Sequence, residues 1–263
     1  MGDLDFWDQR AKSLGHTGYS DQILYRYDQP LRVKAIQRAT ASLGSHFKEE
    51  RSALDIGCGV GDIVSMLADE GFAVTGVDFS REVLSLAAKR FRSSDAVKLL
   101  HADLRTLNLP GLKFDLITSV TVLQHITDDS EVVNILSKLG TLQKKGGLFI
   151  ILESAPIRVG RRWPGLAAFN PLDPDRPPVK LRSRSQWVCL FRGGGYSFLQ
   201  EYYHPQIGTR AANLINGVCL ILFRRKMELP KRFVLTLTKP FDGMFLPLPE
   251  RLRHTRILTF IKV

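Results

Sequence analysis

The segment Ala53–Asp62, ALDIGCGVGD, places Gly57, Gly59 and Gly61 directly after an apolar run and directly before a helical pattern. A strand-to-helix turn this bare lets the backbone approach a ligand closely and adopt positive φ. In open parallel sheets, that turn faces the ligand. Its spacing argues against two common ligand classes. A phosphate-cradling loop reads G-x-x-x-x-G-K-[ST], and neither Lys nor Ser/Thr follows at that distance. A dinucleotide loop reads G-x-G-x-x-G, but the place of its third glycine is taken by Asp62. An acid at a helix start opposes a pyrophosphate. The three cysteines, Cys58, Cys189 and Cys219, are scattered and match neither a disulfide framework nor a metal knuckle, so no metal site is expected.

The elements that must hold this loop follow from periodicity. SALDIG reads as a buried strand and DIVSMLADEG as a helix stopped by Gly71. AVTGVD, VKLLHAD, FDLITSV and GGLFIILES read as further strands, with amphipathic helices at REVLSLAAKRF and DSEVVNILSKLGTL. Such alternation predicts a doubly wound α/β domain, a parallel sheet with helices on both faces. Residues 1–50 read as an aromatic-rich helical cap, 51–155 as the ligand-binding core, and 156–263 as the rest of the same domain. Within the last segment, SRSQWVCLFRGGGYSFLQEY reads as helix, glycine stop and strand, and RILTFIKV as a final strand. Residues 158–184 are too rich in Pro, Gly and Arg for a regular element, and about 206–250 reads as an insertion before the last strand.

Composition narrows the class. A chain of 263 residues with 44% apolar content is long enough for one well-buried domain. The acidic start and the absence of a long apolar stretch predict a cytoplasmic protein with no transmembrane segment. Charge is lopsided: residues 1–153 hold 18 Lys and Arg against 20 acids, whereas 154–263 hold 19 against 6. A basic half of this kind favours an anionic partner.

The glycine loop resembles motif I of the class I S-adenosylmethionine-dependent methyltransferases, an acid two residues before G-x-G-x-G, here Asp55, Gly57, Gly59 and Gly61. The resemblance covers about residues 50–155 and implies a Rossmann-like, seven-stranded sheet of the small-molecule type. It assigns Asp78, with Phe79 after it, to the ribose hydroxyls, and Asp103 to the adenine amino group with Leu104 beside it. It sets Val120, Thr121, Gln124 and His125 near the sulfonium and adenosine, adds Cys58 through the loop, and lets Tyr19 and Tyr25 fold across the cofactor. S-adenosylmethionine and its product S-adenosylhomocysteine present hydroxyls, an amino group and an ammonium. A site lined by acids suits them, where a phosphate would ask for arginines.

Methyl transfer to a hydroxyl requires a base, and His16, His125 and His204 are the candidates, with His125 favoured as a cofactor contact and His16 and His204 as the bases. The segment after the fourth strand, SVTV, lacks the N/D-P-P-Y/F grip of amide methylators, and no cysteine is placed for cytosine chemistry. The expected acceptor is therefore small or lipid-linked, anionic, and methylated on oxygen, with Arg182 and Arg184 near its mouth. The rival readings are an RNA or protein methyltransferase, which the basic half would serve, and a domain that binds the cofactor without turnover. Nucleic acid is the less favoured partner, peripheral membrane contact is compatible with the sequence, and the oligomeric state is left open.

Overall fold

The structure, a computed structural model, describes residues 3–19, 21–47, 50–155, 177–204, 206–223, 228–243 and 255–263. Most of the irregular stretch expected over 158–184, and the basic cluster Arg224–Lys226, lie outside these residues.

Helices α1 (Asp3–Leu14) and α2 (Gln22–Ala41) precede the sheet. There follow β1 (Arg51–Ile56), α3 (Asp62–Asp69), β2 (Phe72–Asp78), α4 (Arg81–Arg90), β3 (Val97–His101), β4 (Phe114–Val120), α5 (Asp129–Thr141) and β5 (Gln143–Ser154). After the undescribed stretch come α6 (Arg184–Gly193), β6 (Tyr196–Tyr203), α7 (Ile207–Phe223), α8 (Glu228–Gly243) and β7 (Thr255–Lys262). The seven strands form one sheet in the order β3-β2-β1-β4-β5-β7-β6.

The sheet is Rossmann-like, and the five strands of the alternating stretch, β1 to β5, are parallel as predicted; the antiparallel strand lies beyond it. β7 slots between β5 and β6 and runs antiparallel to both. Periodicity cannot reveal a strand's direction, and an antiparallel neighbour needs no helical crossover to reach its place.

Both faces of the sheet are covered, which explains why Gly147–Glu153 of β5 is buried at every position. On one face, Val132, Ile135 and Leu139 of α5 and Trp187 and Phe191 of α6 pack on Leu54, Ile56, Phe149 and Phe260. The Phe191 and Phe260 rings stack at 3.8 Å. On the other face, Ile36 and Ala39 of α2 and Val64 and Leu67 of α3 cover Ala53, Leu116, Ile150 and Leu152. Helix starts carry the expected caps: Asp21 accepts from the Leu24 amide, Ser80 from Val83, and Ser183 forms a capping box with Gln186.

Two buried carboxylates fasten the helices α7 and α8 to α2. Asp28 accepts from Arg32 Nε at 2.8 Å, from Thr209 Oγ1 at 3.1 Å and from the Tyr19 hydroxyl, and it faces His204 Nε2 at 3.2 Å. Asp242 accepts from the Tyr27 hydroxyl and from the Ile207 and Gly208 amides, each at 2.8 Å. At the edge of this junction, Lys231 pairs with Asp21 at 2.9 Å.

Burial alone would raise the Asp28 carboxyl, but the Arg32 charge and the His204 contact outweigh it and hold the group at about 2. Because the folded value lies below the unfolded one, the stability Asp28 contributes is present above about pH 4 and is lost as pH falls toward about 2. Asp28→Asn leaves Arg32 buried without its counter-charge. Urea denaturation at neutral pH should show a loss of about 3 kcal/mol, and a midpoint equal to wild type would remove Asp28 from this role.

Candidate functional site

The carboxyl ends of β1, β2 and β4 open into a cavity of about 540 Å³, walled on its other sides by residues of α1, α2, α7 and the segment joining the first two helices. The glycine turn forms part of its lining. Gly57, Gly59 and Gly61 all adopt positive φ, at 65°, 56° and 86°. A Cβ on Gly57 would sit 2.3 Å from the Val122 side chain, whereas one on Gly59 would meet nothing nearer than Thr17 Oγ1 at 3.6 Å. Gly61 does not line the cavity; a Cβ there would strike the Phe91 ring at 2.4 Å, so its bareness serves helix packing.

Asp55 lies at the end of β1, buried, with the Thr118 hydroxyl donating to it at 2.6 Å. Burial, assisted by repulsion from Asp78 and Asp62 and only partly opposed by Thr118, pushes its carboxyl up to about 7. Asp78 ends β2 and accepts from the Gly59 and Ser80 amides, each at 3.0 Å; burial still raises it. Cys58 is buried between these acids, and its thiol is raised by burial and by their charge, which makes it a poor nucleophile. Asp103 is half exposed and accepts from the Arg105 amide at 2.8 Å. Phe79 and Leu104 line the same region.

The segment after β4 carries Val120, Thr121, Gln124 and His125 into the cavity. Thr121 has φ 57°, an uncommon conformation for a β-branched residue, and its amide donates to the Leu152 carbonyl at 2.8 Å. Two side chains hold the turn that follows. Glu153 Oε1 accepts from the Leu123 amide at 2.9 Å, and Arg182 donates to the Leu123 and Ile126 carbonyls and to Asp129. Burial lifts the Glu153 carboxyl to about 8, so it is largely protonated at neutral pH. Sequence reasoning passed over Glu153; the available signal was a lone acid closing the apolar run LFIILES. Arg182, expected at an acceptor mouth, is fully buried in this brace. Arg184 pairs with Glu201 and covers the Phe198 ring, and neither arginine lines the cavity.

The two candidate bases part company. His204 is buried against Asp28 and is absent from the cavity lining, because the β6 terminus turns its ring toward α2. His16 does line the cavity. It stacks on Tyr25 with ring centroids 3.8 Å apart, and the Tyr25 hydroxyl donates to Asp62 at 2.6 Å. Neither ring nitrogen of His16 has a hydrogen-bond partner among the described residues. Burial, with a smaller push from the Arg10 charge, lowers it to about 4, so the ring is neutral at pH 7. Tyr19 lines the same side, and His125 meets Trp7 edge-on at 5.2 Å.

The wall opposite the glycine turn includes Gln206, Thr209, Arg210 and Asn213, which sequence reading placed only as part of a lid. Arg210, exposed on this wall, has no acidic partner among the described residues. An uncompensated guanidinium of this kind suits an anion.

Residues 53–147 match the family model described as a methyltransferase domain. The chain is 35% identical over 129 residues to an uncharacterized methyltransferase of Mycobacterium tuberculosis, covering 48% of this chain and 61% of that protein. It is 33% identical over 121 residues to the ubiquinone biosynthesis O-methyltransferase of Methylococcus capsulatus, covering 45% and 47%. The chain thus spans about half to three fifths of the length of these relatives. Among solved structures, the magnesium protoporphyrin IX methyltransferase of Synechocystis, with bound S-adenosylhomocysteine, superposes with a TM-score of 0.61 at 17% identity, covering 99% and 98% of the two chains. The fold is therefore that of the class I S-adenosylmethionine-dependent methyltransferases.

The glycine geometry makes a graded prediction. Gly57→Ala meets both an unfavourable φ and the Val122 side chain, whereas Gly59→Ala meets mainly the φ penalty of about 1 kcal/mol. Thermal unfolding should show Gly57→Ala as the more damaging by at least about 1 kcal/mol. Equal losses would mean that the contact with Val122 does not constrain the turn.

Proposed function

We propose that this protein is an S-adenosylmethionine-dependent methyltransferase acting on the oxygen of a small or lipid-linked acceptor that carries an anionic group. The observation that carries the reading is the placement of Asp55 and Asp78, two buried carboxylates short of positive partners, beside a turn in which Gly59 lines the cavity with only Thr17 near the place of its missing Cβ. Such a niche disfavours phosphate and favours a ligand with a cationic group and hydroxyls.

S-adenosylmethionine, when bound, supplies an electrophilic methyl group. Asp55 and the glycine turn would hold its amino-acid end, Asp78 its ribose hydroxyls, and Asp103 with Leu104 its adenine. Phe79, Val120, Thr121 and His125 complete that half of the cavity, while Trp7 and Tyr19 shield it from water. Exclusion of water and alignment matter most here, because positive charge is lost as the new bond forms.

On the acceptor side, His16 is the better-placed base: it is neutral, has unpartnered ring nitrogens, and is held in position by stacking on Tyr25. It orients the acceptor hydroxyl and takes its proton as the methyl bond forms, when the oxygen has become acidic enough for a ring whose basicity burial has lowered. His204, remote from the cavity lining, is assigned instead to fixing Asp28 and so the wall that carries Thr209. Arg210 receives the anionic group. The resemblance to a ubiquinone-pathway O-methyltransferase supports oxygen as the target atom.

The cofactor assignment is tested by calorimetric titration with S-adenosylhomocysteine across pH. Asp55 titrates near 7 in the ligand-free chain, and its ionised form is the one an ammonium prefers. Affinity should therefore weaken about tenfold from pH 8 to pH 6, with proton release on binding near pH 7. Absence of binding at any pH would refute the proposal. The base assignment predicts that His16→Ala lowers kcat on a phenolic acceptor by about 100-fold while largely sparing S-adenosylhomocysteine affinity; unchanged turnover would exclude His16.

A further inference from the structure

Helices α7 and α8 expose a concentration of large apolar side chains. On α7, Leu214 and Val218 are 71% and 46% exposed; on α8, Phe233, Leu237 and Phe241 are 65%, 56% and 48% exposed. The spacing is regular. Residues 214 and 218, and residues 233, 237 and 241, recur every four positions, so each set forms a stripe along one side of its helix.

The opposite sides are accounted for. Ala212 and Cys219 of α7 are buried, as are Lys231, Leu235 and Asp242 of α8, where Leu235 and Ala212 pack on Leu24 of α2. The exposed stripes are thus the outward faces of a helix pair already anchored inward through Asp28, Asp242 and Lys231. Monomeric proteins rarely leave apolar side chains grouped in this way without a partner.

Charge selects the partner. Residues 207–243 contain seven Lys and Arg against two acids, Glu228 and Asp242; Lys231 is committed to Asp21, and the carboxylate of Asp242 to Tyr27 and two amides. Arg210 stands one turn before Leu214 on the same side of α7, while exposed Arg232 and Lys239 lie together to one side of the stripe of α8. A second copy of the chain would bring like charges together. A polyanion such as RNA would leave Leu214, Val218 and Leu237 without an apolar environment. An apolar stripe rich in Leu and Phe, bordered by basic residues, is instead the signature of a helix lying in a lipid–water interface, and anionic headgroups would meet the cations. No described helix is long and apolar enough to cross a membrane, so contact through these helices would be from one side.

We infer that the outward faces of α7 and α8 dock on the surface of an anionic lipid bilayer. Arg210 links this face to the cavity, one turn from Leu214, so docking brings the acceptor wall to the lipid surface. The inference goes beyond the transfer reading, and vesicle binding can be measured with neither cofactor nor acceptor, so each can fail alone.

The test is co-flotation of the full chain with phosphatidylcholine vesicles, with or without about one third phosphatidylglycerol. Protein should float with the anionic vesicles only, and about 1 M salt should weaken the association. Phe233→Ser combined with Leu237→Ser should reduce flotation at least about tenfold while leaving the thermal midpoint and S-adenosylhomocysteine binding unchanged. Lys239→Glu, which removes no apolar surface, should weaken flotation and serves as the check should the double variant fail to fold. Failure of the wild type to float, or equal flotation by both variants, would overturn the inference. So would a dimer in analytical ultracentrifugation, or an RNA complex, that the same substitutions abolish while flotation is unaffected.

Discussion

Two acids held out of water set the character of this molecule. Asp55 and Asp78 end adjacent parallel strands, both withdrawn from water, with little beyond a hydroxyl and a few amides to satisfy them. In a chain of formal net charge +11, this is a local negative niche inside a positive body. Burial pushes the Asp55 carboxyl up to about 7, so keeping its charged form out of water costs the folded chain free energy. A cationic ligand relieves that cost, and any ligand that binds only the folded state stabilises that state by mass action. The glycine turn, the strained Thr121 and the protonated Glu153 all fix the geometry of this niche.

The opposite wall depends on a different arrangement of the same chemistry. Asp28 is also buried, but Arg32, Thr209, Tyr19 and His204 surround it, and the balance of forces runs the other way, holding the carboxylate ionised. One acid is starved of partners and faces a cavity; the other is saturated and fastens helices. Burial alone does not distinguish a binding group from a structural one, whereas the inventory of partners does.

Much of this was legible in the sequence because it is local. The strand-turn-helix around Gly57–Gly61, the acids closing β2 and following β3, and the glycine stop after α6 each announce themselves within a dozen residues. What was hidden depends on distant pairs. The antiparallel direction of β7 follows from its insertion between β5 and β6, which no periodicity encodes. His204 looked like a base beside the acceptor because it follows a strand, yet its ring is claimed by Asp28, 176 residues earlier in the chain. Arg182 looked like a cation at the acceptor mouth, yet its partners are the carbonyls of the turn after β4. His16, by contrast, could be named but not ranked; its vacant nitrogens became visible only when Tyr25 was seen to cover one face of the ring.

The position of β7 has a wider implication. Since β6 and β7 are antiparallel neighbours, a short hairpin would suffice to join them, and the sheet makes no demand on what lies between. The chain nonetheless spends residues 204–254 there, including α7, which lines the cavity, and α8, which packs on α7. Sheet and wall are thus specified by different stretches of chain: pairing with β5 and β6 fixes β7, while the helices that precede it are placed by Asp28 and Asp242.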